Sequence, residues 1–508
     1  MNAKNPDPHT PQLPQLDSSD DQATSWAIVW ISLLTVLLRV FTLTQPLIGY
    51  FSIKNCVSAM IARNWALGRT DFLHPMLDCI RGGERSLHMV DLPCSTYLTG
   101  MAWRWFGGSL DVWGRSFSIF WTLGAVVMLY YYVRRHHGPT AAAGAAFALA
   151  VSPVSVIFGQ HFMIEPSMMF LMIGTFFALD TGLRSGRWRW IIFSAIALAL
   201  LLLTKIYMLI LLLPIGLMLL ATFFKTSKSK LFLGILLFGL ASLPAIAWYA
   251  YAYHVGTEGH PLAGQMYYSI AQSTESHRLP HPLWVSPQFY LHTFDVLAMG
   301  VITPLGFLVF WFGLIAQGGR RHFAWLAVSF LLIWLLPRKF YEMNYYYLAL
   351  LPPVCIMVGL GWSWLARGMQ LSRRAILFVI VLALLVSMRY TVGPLFVIAD
   401  EDRPVIVAAE SVKQHTDPDD RVIAIHATGI DLLYYCDRAG WTGQMRPDDW
   451  STWVRSCRDD GAKYLVVVET TSMPTPSVAE FPPVQTPPID EGPGWKLFRL
   501  EKEASADE

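Results

Sequence analysis

Charge is what this chain has least of. Of its 508 residues, 15% are Asp, Glu, Lys or Arg and 54% are hydrophobic, with a mean hydropathy of +0.41. A soluble protein carries about a quarter charged residues, so a soluble globular chain is excluded. The net charge is only +2 and no basic cluster stands out, so nothing suggests a nucleic-acid partner. No glycine-rich motif suited to cradling phosphates is present, which argues against a soluble nucleotide-sugar enzyme. There are six cysteines, Cys56, Cys79, Cys94, Cys355, Cys436 and Cys457, and no spacing among them resembles a zinc site. Internal repeats with helices broken near mid-membrane, the mark of many transporters, are missing too. The first apolar run starts at Trp26 without a short positive leader, so no cleaved signal peptide is expected.

What the chain does have is long apolar runs. A helix needs ~20 apolar residues to span a bilayer. Spans are expected at 26–45, 113–133, 139–158, 164–183, 189–206, 207–224, 231–253, 295–316, 323–337, 345–366 and 374–396, eleven in all. The run 189–224 is too long for one crossing, so a hairpin at Lys205 is expected. Arg134–His137, Arg184–Arg189, Lys225–Lys230, Arg320-Arg321 and Arg367–Arg374 fall on alternate connections. Excess Lys and Arg marks the cytoplasmic side. The N-terminus is therefore expected inside and the C-terminus outside, in an inner (plasma) membrane.

Two stretches break the apolar pattern. Tyr50–Tyr97, within an outer loop 46–112, mixes eleven charged or His side chains with Pro75 and Pro93. Lys54–Leu67 has apolar residues at four-residue spacing, which predicts a helix lying on the membrane surface. Thr70–Pro93 reads as loop, and Ser95–Phe106 as a short interfacial helix. After Val397, Arg421–Gly429 and Ala462–Glu469 read as buried strands, Arg403–His415 and Asp448–Gly461 as helices, and WKLFRLE as a last strand. The expected architecture is an α-helical polytopic membrane domain, 26–397, followed by an extracytoplasmic α/β domain, 398–508. Residues 1–25 read as a disordered cytoplasmic tail. Cys436 and Cys457 fall in the same small outer domain and are expected to come close enough to bridge, which needs Cα atoms within ~7 Å.

Charged groups at span ends are costly and usually face a cavity or a partner. At the expected outer face these are Asp78, Asp91 and Glu165 as candidate acids, and Lys205, Arg63, Arg338 and Lys339 as candidate cations. Tyr345 and Tyr346 lie beside them, with His88 and His161 as further polar contacts. Ordinary structural roles compete: Asp91 precedes a helix, Glu165-Pro166 opens one, Lys205 can snorkel, and tyrosines commonly ring span ends. Cations of this kind hold a phosphate, a carboxylate takes a hydroxyl proton, and aromatics stack on sugars. The site suits a substrate with an anionic head and an apolar tail.

Several segments carry a resemblance. SAMIARNW (Ser58–Trp65), HPMLD (His74–Asp78), VDLP (Val90–Pro93), WGRSFS (Trp113–Ser118), EMNYYYLALLPP (Glu342–Pro353), LLYYCDRAGW (Leu432–Trp441) and GAKYLVVV (Gly461–Val468) occur in that order. Together they resemble the bacterial GT-C glycosyltransferases, which include protein O-mannosyltransferases and the aminoarabinose transferase of lipid A. The resemblance implies a polyprenyl-phosphate sugar donor, a glycan, lipid or protein acceptor, and inverting transfer on the outer side. A divalent metal ion stays open as a cofactor. Where the resembled pattern has an acid in the first loop, this chain has Val57; where it has His-Asp before two tyrosines, this chain has Met343-Asn344. The later loop acid falls on Asp91, which is the expected general base, with Asp78 next. Those departures keep a second reading in play: a non-catalytic relative that binds lipid-linked substrates or scaffolds an envelope complex.

Overall fold

A computed structural model describes residues 18–81, 83–255, 282–316, 318–368, 378, 382, 392–426, 429–443, 450–469 and 487–500. The expected span 374–396 lies almost wholly outside the described residues, as do the tail up to residue 17, most of the loop 254–294 and the Pro-rich stretch from Thr471.

The helical part runs α1 (Ser18–Val40), α2 (Ser52–Ala66), then a hairpin of β1 (Met76–Arg81) and β2 (Glu84–Leu87). It continues with α3 (Cys94–Phe106), α4 (Leu110–Val151), α5 (Pro153–Phe158), α6 (Glu165–Ser185) and α7 (Trp188–Thr204). A 3-10 turn, Ile206–Leu211, leads into α8 (Leu212–Phe223), followed by α9 (Lys228–His254) and α10 (Pro287–Asp295). Then come α11 (Thr303–Ile315), α12 (Phe323–Leu335), α13 (Pro337–Glu342) and α14 (Leu351–Gly368). The C-terminal part contains α15 (Pro404–His415), β3 (Arg421–Ile425), α16 (Ile430–Cys436), β4 (Gly440–Thr442), α17 (Trp450–Asp459), β5 (Ala462–Val468), β6 (Asp490–Gly492) and β7 (Trp495–Arg499).

Among the described residues, four helices are long and apolar enough to cross a membrane: α4, α6, the turn with α8, and α9. A π-helical turn, Val296–Val301, joins α10 to α11 in a pair bent by 99°, which makes a fifth if counted as one span. Trp26–Val40 and α7 are shorter apolar helices. The helix α4 covers two expected spans. It breaks at Gly138, whose φ of 83° is open to glycine, and Pro139 begins the next segment. Ser118 and Thr122 donate to the carbonyls of His161 and Gly159, so the chain doubles back after Gly138. Helices α4, α11 and α14 approach closely through small residues. A Cβ on Gly361 would lie 2.0 Å from the Val309 carbonyl, and one on Gly313 would lie 1.9 Å from that of Met357. Small residues let helix backbones approach in this way within membranes.

Several expectations change here. The helix α1 starts at Ser18, inside the stretch read as a tail. Thr70–Pro93 is not all loop, because β1 and β2 form a hairpin that joins the C-terminal sheet. The strand order is β2-β1-β4-β3-β5-β7-β6, with β1 pairing in parallel with β4 at Cys79 and Gly440. The backbone can come this close at Gly440, where a Cβ would sit 1.8 Å from the Val422 carbonyl. Nor does α2 lie as a surface helix. Cys56, Ala59, Met60 and Ala62 are buried under the α/β unit, where α2 packs on α3, α16 and β1.

Alternation along the strands builds two cores. Val422, Ala424, Val466 and Leu497 face α15 and α16, while Ile423, Ile425, Leu465 and Phe498 face α17. Cys436 lies in the first cluster and Cys457 in the second, on opposite faces of the sheet. Both are free thiols, which overturns the expected bridge.

Candidate functional site

The helical break at Lys205 centres the site. Lys205 takes extended backbone angles, φ −153° and ψ 105°, between α7 and the following turn. This interruption turns its ammonium into the fold, where the side chain is 4% exposed. Its Nζ donates to Asp91 Oδ2 at 2.6 Å and lies 3.2 Å from Glu165 Oε1. Asp91 comes from the loop after the β1–β2 hairpin, fixed by Leu92 N–H donating to the Leu203 carbonyl at 3.0 Å. Glu165 opens α6, where Pro166 in the first turn needs no N–H partner. Tyr249, near the end of α9, donates its hydroxyl to Asp91 Oδ1 at 2.9 Å.

Both Asp91 oxygens are therefore engaged. Burial alone would raise the Asp91 pKa, but Lys205 and Lys54 outweigh it and hold the carboxyl below its ordinary range. Glu165 differs. Its Oε2 is buried and has no hydrogen-bond partner among the described residues. Glu165 and Asp91 line one cleft with Lys54, Val57, His88 and Thr96. The cleft volume is about 30 Å³, room for a water or two and not for a sugar.

A ring of cations and aromatics surrounds it. Lys54 Nζ stands 5.1 Å from the Tyr345 ring centre, and Tyr345 packs on Tyr346 at 4.8 Å. Tyr346 in turn meets Tyr207 at 5.5 Å. Lys339 is half-buried, and its pKa falls to about 8, first through burial and then through Lys54 and Lys205. His88 is pushed down to about 4 by burial and by Lys54, so it is neutral at pH 7. Arg338 pairs with Glu342 one turn on, at 3.1 Å.

The structure thus gathers Asp91, Glu165, Lys205, Lys339, Tyr345 and Tyr346. It separates Asp78 and Arg63 from them. Asp78 is 1% exposed and accepts from Arg63 at 2.7 Å, with Arg85 at 3.3 Å. Arg63 also donates to the Tyr434 carbonyl and pairs with Asp437 at 3.1 Å. This cluster pins α2 to α16 and engages Asp78 and Arg63, the expected second acid and a candidate phosphate cation, away from Lys205. Lys54 and Tyr249 were missed as site residues. Lys54 read as part of a surface helix, and Tyr249 sits in a Tyr-rich span end that reads as an aromatic belt.

A divalent metal does not fit. Among the described residues no three His, Cys, Asp or Glu side chains are placed to hold a metal ion together, and the Lys205 ammonium already lies against both carboxylates.

Comparison with known proteins now has a geometry to bear on. Residues 93–248 match the family model of dolichyl-phosphate-mannose-protein mannosyltransferases. The structure resembles that of ArnT from Cupriavidus metallidurans bound to undecaprenyl phosphate, with a TM-score of 0.62 at 15% identity. That similarity covers 94% of this chain and 98% of that one. The fold is that of the GT-C glycosyltransferases. The oligosaccharyltransferase of Archaeoglobus fulgidus is a further neighbour, with a TM-score of 0.52 at 13% identity over 89% of this chain and 70% of that one. A search among curated proteins finds no match. Within this GT-C fold, the family match takes in Asp91's neighbour Pro93, Glu165, Lys205 and Trp248.

Proposed function

We propose that this chain is an integral membrane glycosyltransferase that moves a sugar from a polyprenyl-phosphate donor to an acceptor hydroxyl on the extracytoplasmic side. One observation carries the reading: two buried carboxylates share the ammonium of Lys205 at the mouth of a GT-C fold. The C. metallidurans protein of the same fold was solved with undecaprenyl phosphate, which supports a lipid phosphate as the donor's leaving group.

The chemistry follows from the charges. Lys205, Lys54 and Lys339 hold the donor phosphate, and Tyr345 and Tyr346 offer faces for the sugar. When the phosphate takes the Lys205 ammonium, the carboxylates are released toward the acceptor. The acceptor hydroxyl gives its proton to a carboxylate, its oxygen bonds the anomeric carbon, and the bond from that carbon to phosphate oxygen breaks. The lipid phosphate leaves with the electron pair, and one displacement inverts the anomeric centre. Asp91 was the sequence's choice of base. Its two oxygens are both engaged and its pKa is depressed, which makes it a poor proton acceptor. Glu165, with an oxygen open in the cleft, is the better base, and Asp91 orients Lys205. The cleft must widen to admit a sugar.

A second reading rests on Val57, which lines this cleft where the resembled pattern has an acid. There the protein binds a lipid-linked sugar without transferring it. Incubating the purified protein with radiolabelled polyprenyl-phosphate sugars and membrane-extracted acceptors tests both. Transfer lost in Glu165→Gln supports the first, and donor binding without transfer for any acceptor supports the second.

A further inference from the structure

The opposite end of α6 carries another charged cluster. Asp180 lies fifteen residues beyond Glu165 on the same helix, about 22 Å along its axis at 1.5 Å per residue. Its carboxylate is 1% exposed and meets His136 Nε2 at 3.0 Å, Arg184 Nε at 3.3 Å and Arg321 Nη2 at 2.8 Å. His137 and His322 are joined through their Nε2 atoms at 2.9 Å beside it. These groups border a cavity of about 530 Å³ that is separate from the transfer site.

Its lining combines two chemistries. Arg184, Arg320 and Arg321 line it, with one carboxylate, Asp180, to balance three guanidiniums. Pro214, Leu217, Met218 and Trp325 supply an apolar part of the lining. Leu217 is 46% exposed on α8, so the apolar wall runs out onto the helix's outer surface. Asp180 fixes Arg184 and Arg321 in place, and Arg320 is exposed and forms no ion pair shown among the described residues. Guanidinium groups match phosphate oxygens in pairs. An apolar wall continuous with a spanning helix suits an acyl chain, which a free phosphate does not have.

We propose that this cavity binds an anionic phospholipid, its phosphate held by Arg184, Arg320 and Arg321 and its chain laid along α8. The site is a second lipid site, at the opposite end of the helical domain from the proposed donor cleft.

Native mass spectrometry of the full chain, exchanged from detergent with phosphatidylglycerol or phosphatidylcholine, tests this. Phosphatidylglycerol should be retained in preference. Arg320→Gln, at an exposed position, should keep the melting temperature and weaken retention about tenfold, the scale of one charged hydrogen bond. Arg184→Gln with Arg320→Gln should weaken it further. Equal retention of the two lipids, or unchanged retention in both variants, overturns the proposal. So does glycerol phosphate binding as tightly as the full lipid, since the site would then hold a free phosphate.

Discussion

The Nζ of Lys205 donates to Asp91 Oδ2 across 2.6 Å, tying the break between two helices to a loop 114 residues earlier. With Glu165 3.2 Å from the same nitrogen, one cation neutralises part of a buried pair of acids. The proposed mechanism links donor binding to acid–base chemistry, because a phosphate that drew Lys205 away would also free the carboxylates.

The two acids should therefore respond differently. Glu165→Gln should lower the turnover rate about 100- to 10,000-fold, the usual contribution of a general base, with donor affinity little changed. Asp91→Asn should mainly raise the donor KM, because Lys205 loses its orienting partner. Steady-state kinetics with varied donor separates the two, and an unaffected turnover in Glu165→Gln returns the base to Asp91.

Removing the shared cation should cost stability. Lys205→Met leaves two buried carboxylates without their counter-charge, and breaking a buried pair costs about 3–5 kcal/mol. Lys205→Met combined with Glu165→Gln should recover much of the loss. Thermal unfolding in detergent measures both, and no recovery in the double variant would show that the two acids do not share the lysine.

Asp78 is expected to act on assembly and not on chemistry. Asp78→Asn removes the partner of Arg63 beneath the α/β unit. Limited proteolysis should then release the C-terminal unit faster, while the intact fraction keeps its turnover. A turnover loss in intact protein as large as that of Glu165→Gln would put Asp78 back in the chemistry.

These contrasts show how much of the site was legible. Glu165, Lys205 and Asp91 stand out in sequence because each is a charge beside an apolar run. Asp78 stands out in the same way, yet it serves a buried ion pair. Its partner Arg63 lies 15 residues away and is held in turn by Asp437, 359 residues beyond Asp78, and spacing cannot choose such partners. Strands β3, β5 and β7 were readable as apolar runs. The hairpin was not: MLDCIR and ERSL are half polar because Arg81 and Glu84 face solvent, and β4, against which β1 lies, is more than 350 residues downstream.

The α/β unit should come loose at high pH. Burial alone would lower the pKa of His426, but Asp402 at 3.4 Å and Asp431 at 3.1 Å outweigh it and lift it to about 9. A raised folded pKa gives stability that is full below the ordinary histidine value of about 6.5. That contribution fades as pH rises through about 9. Melting temperature measured from pH 6 to pH 10 should fall across this window, and His426→Gln should flatten the fall. A wild-type curve as flat as the variant's would rule the histidine out.

Membrane orientation is open to a direct test. Reporter fusions at Lys228 and Glu508 should read cytoplasmic and extracytoplasmic, respectively. The same side for both would break the eleven-span arrangement and the outer placement of the transfer site.

The hairpin on the C-terminal sheet also sets an order of manufacture. Helix α2 and the β1–β2 hairpin are synthesised early, but the strands and the helix they pack against come from the last quarter of the chain. Until those residues are made and folded, β1 has no β4 to lie against and Arg63 no Asp437 to hold. This part of the protein is thus assembled from the two ends of the chain inward. A chain stopped before β3 would hold every residue that lines the Glu165–Asp91 cleft and still lack the helix and strands on which α2, one wall of that cleft, rests.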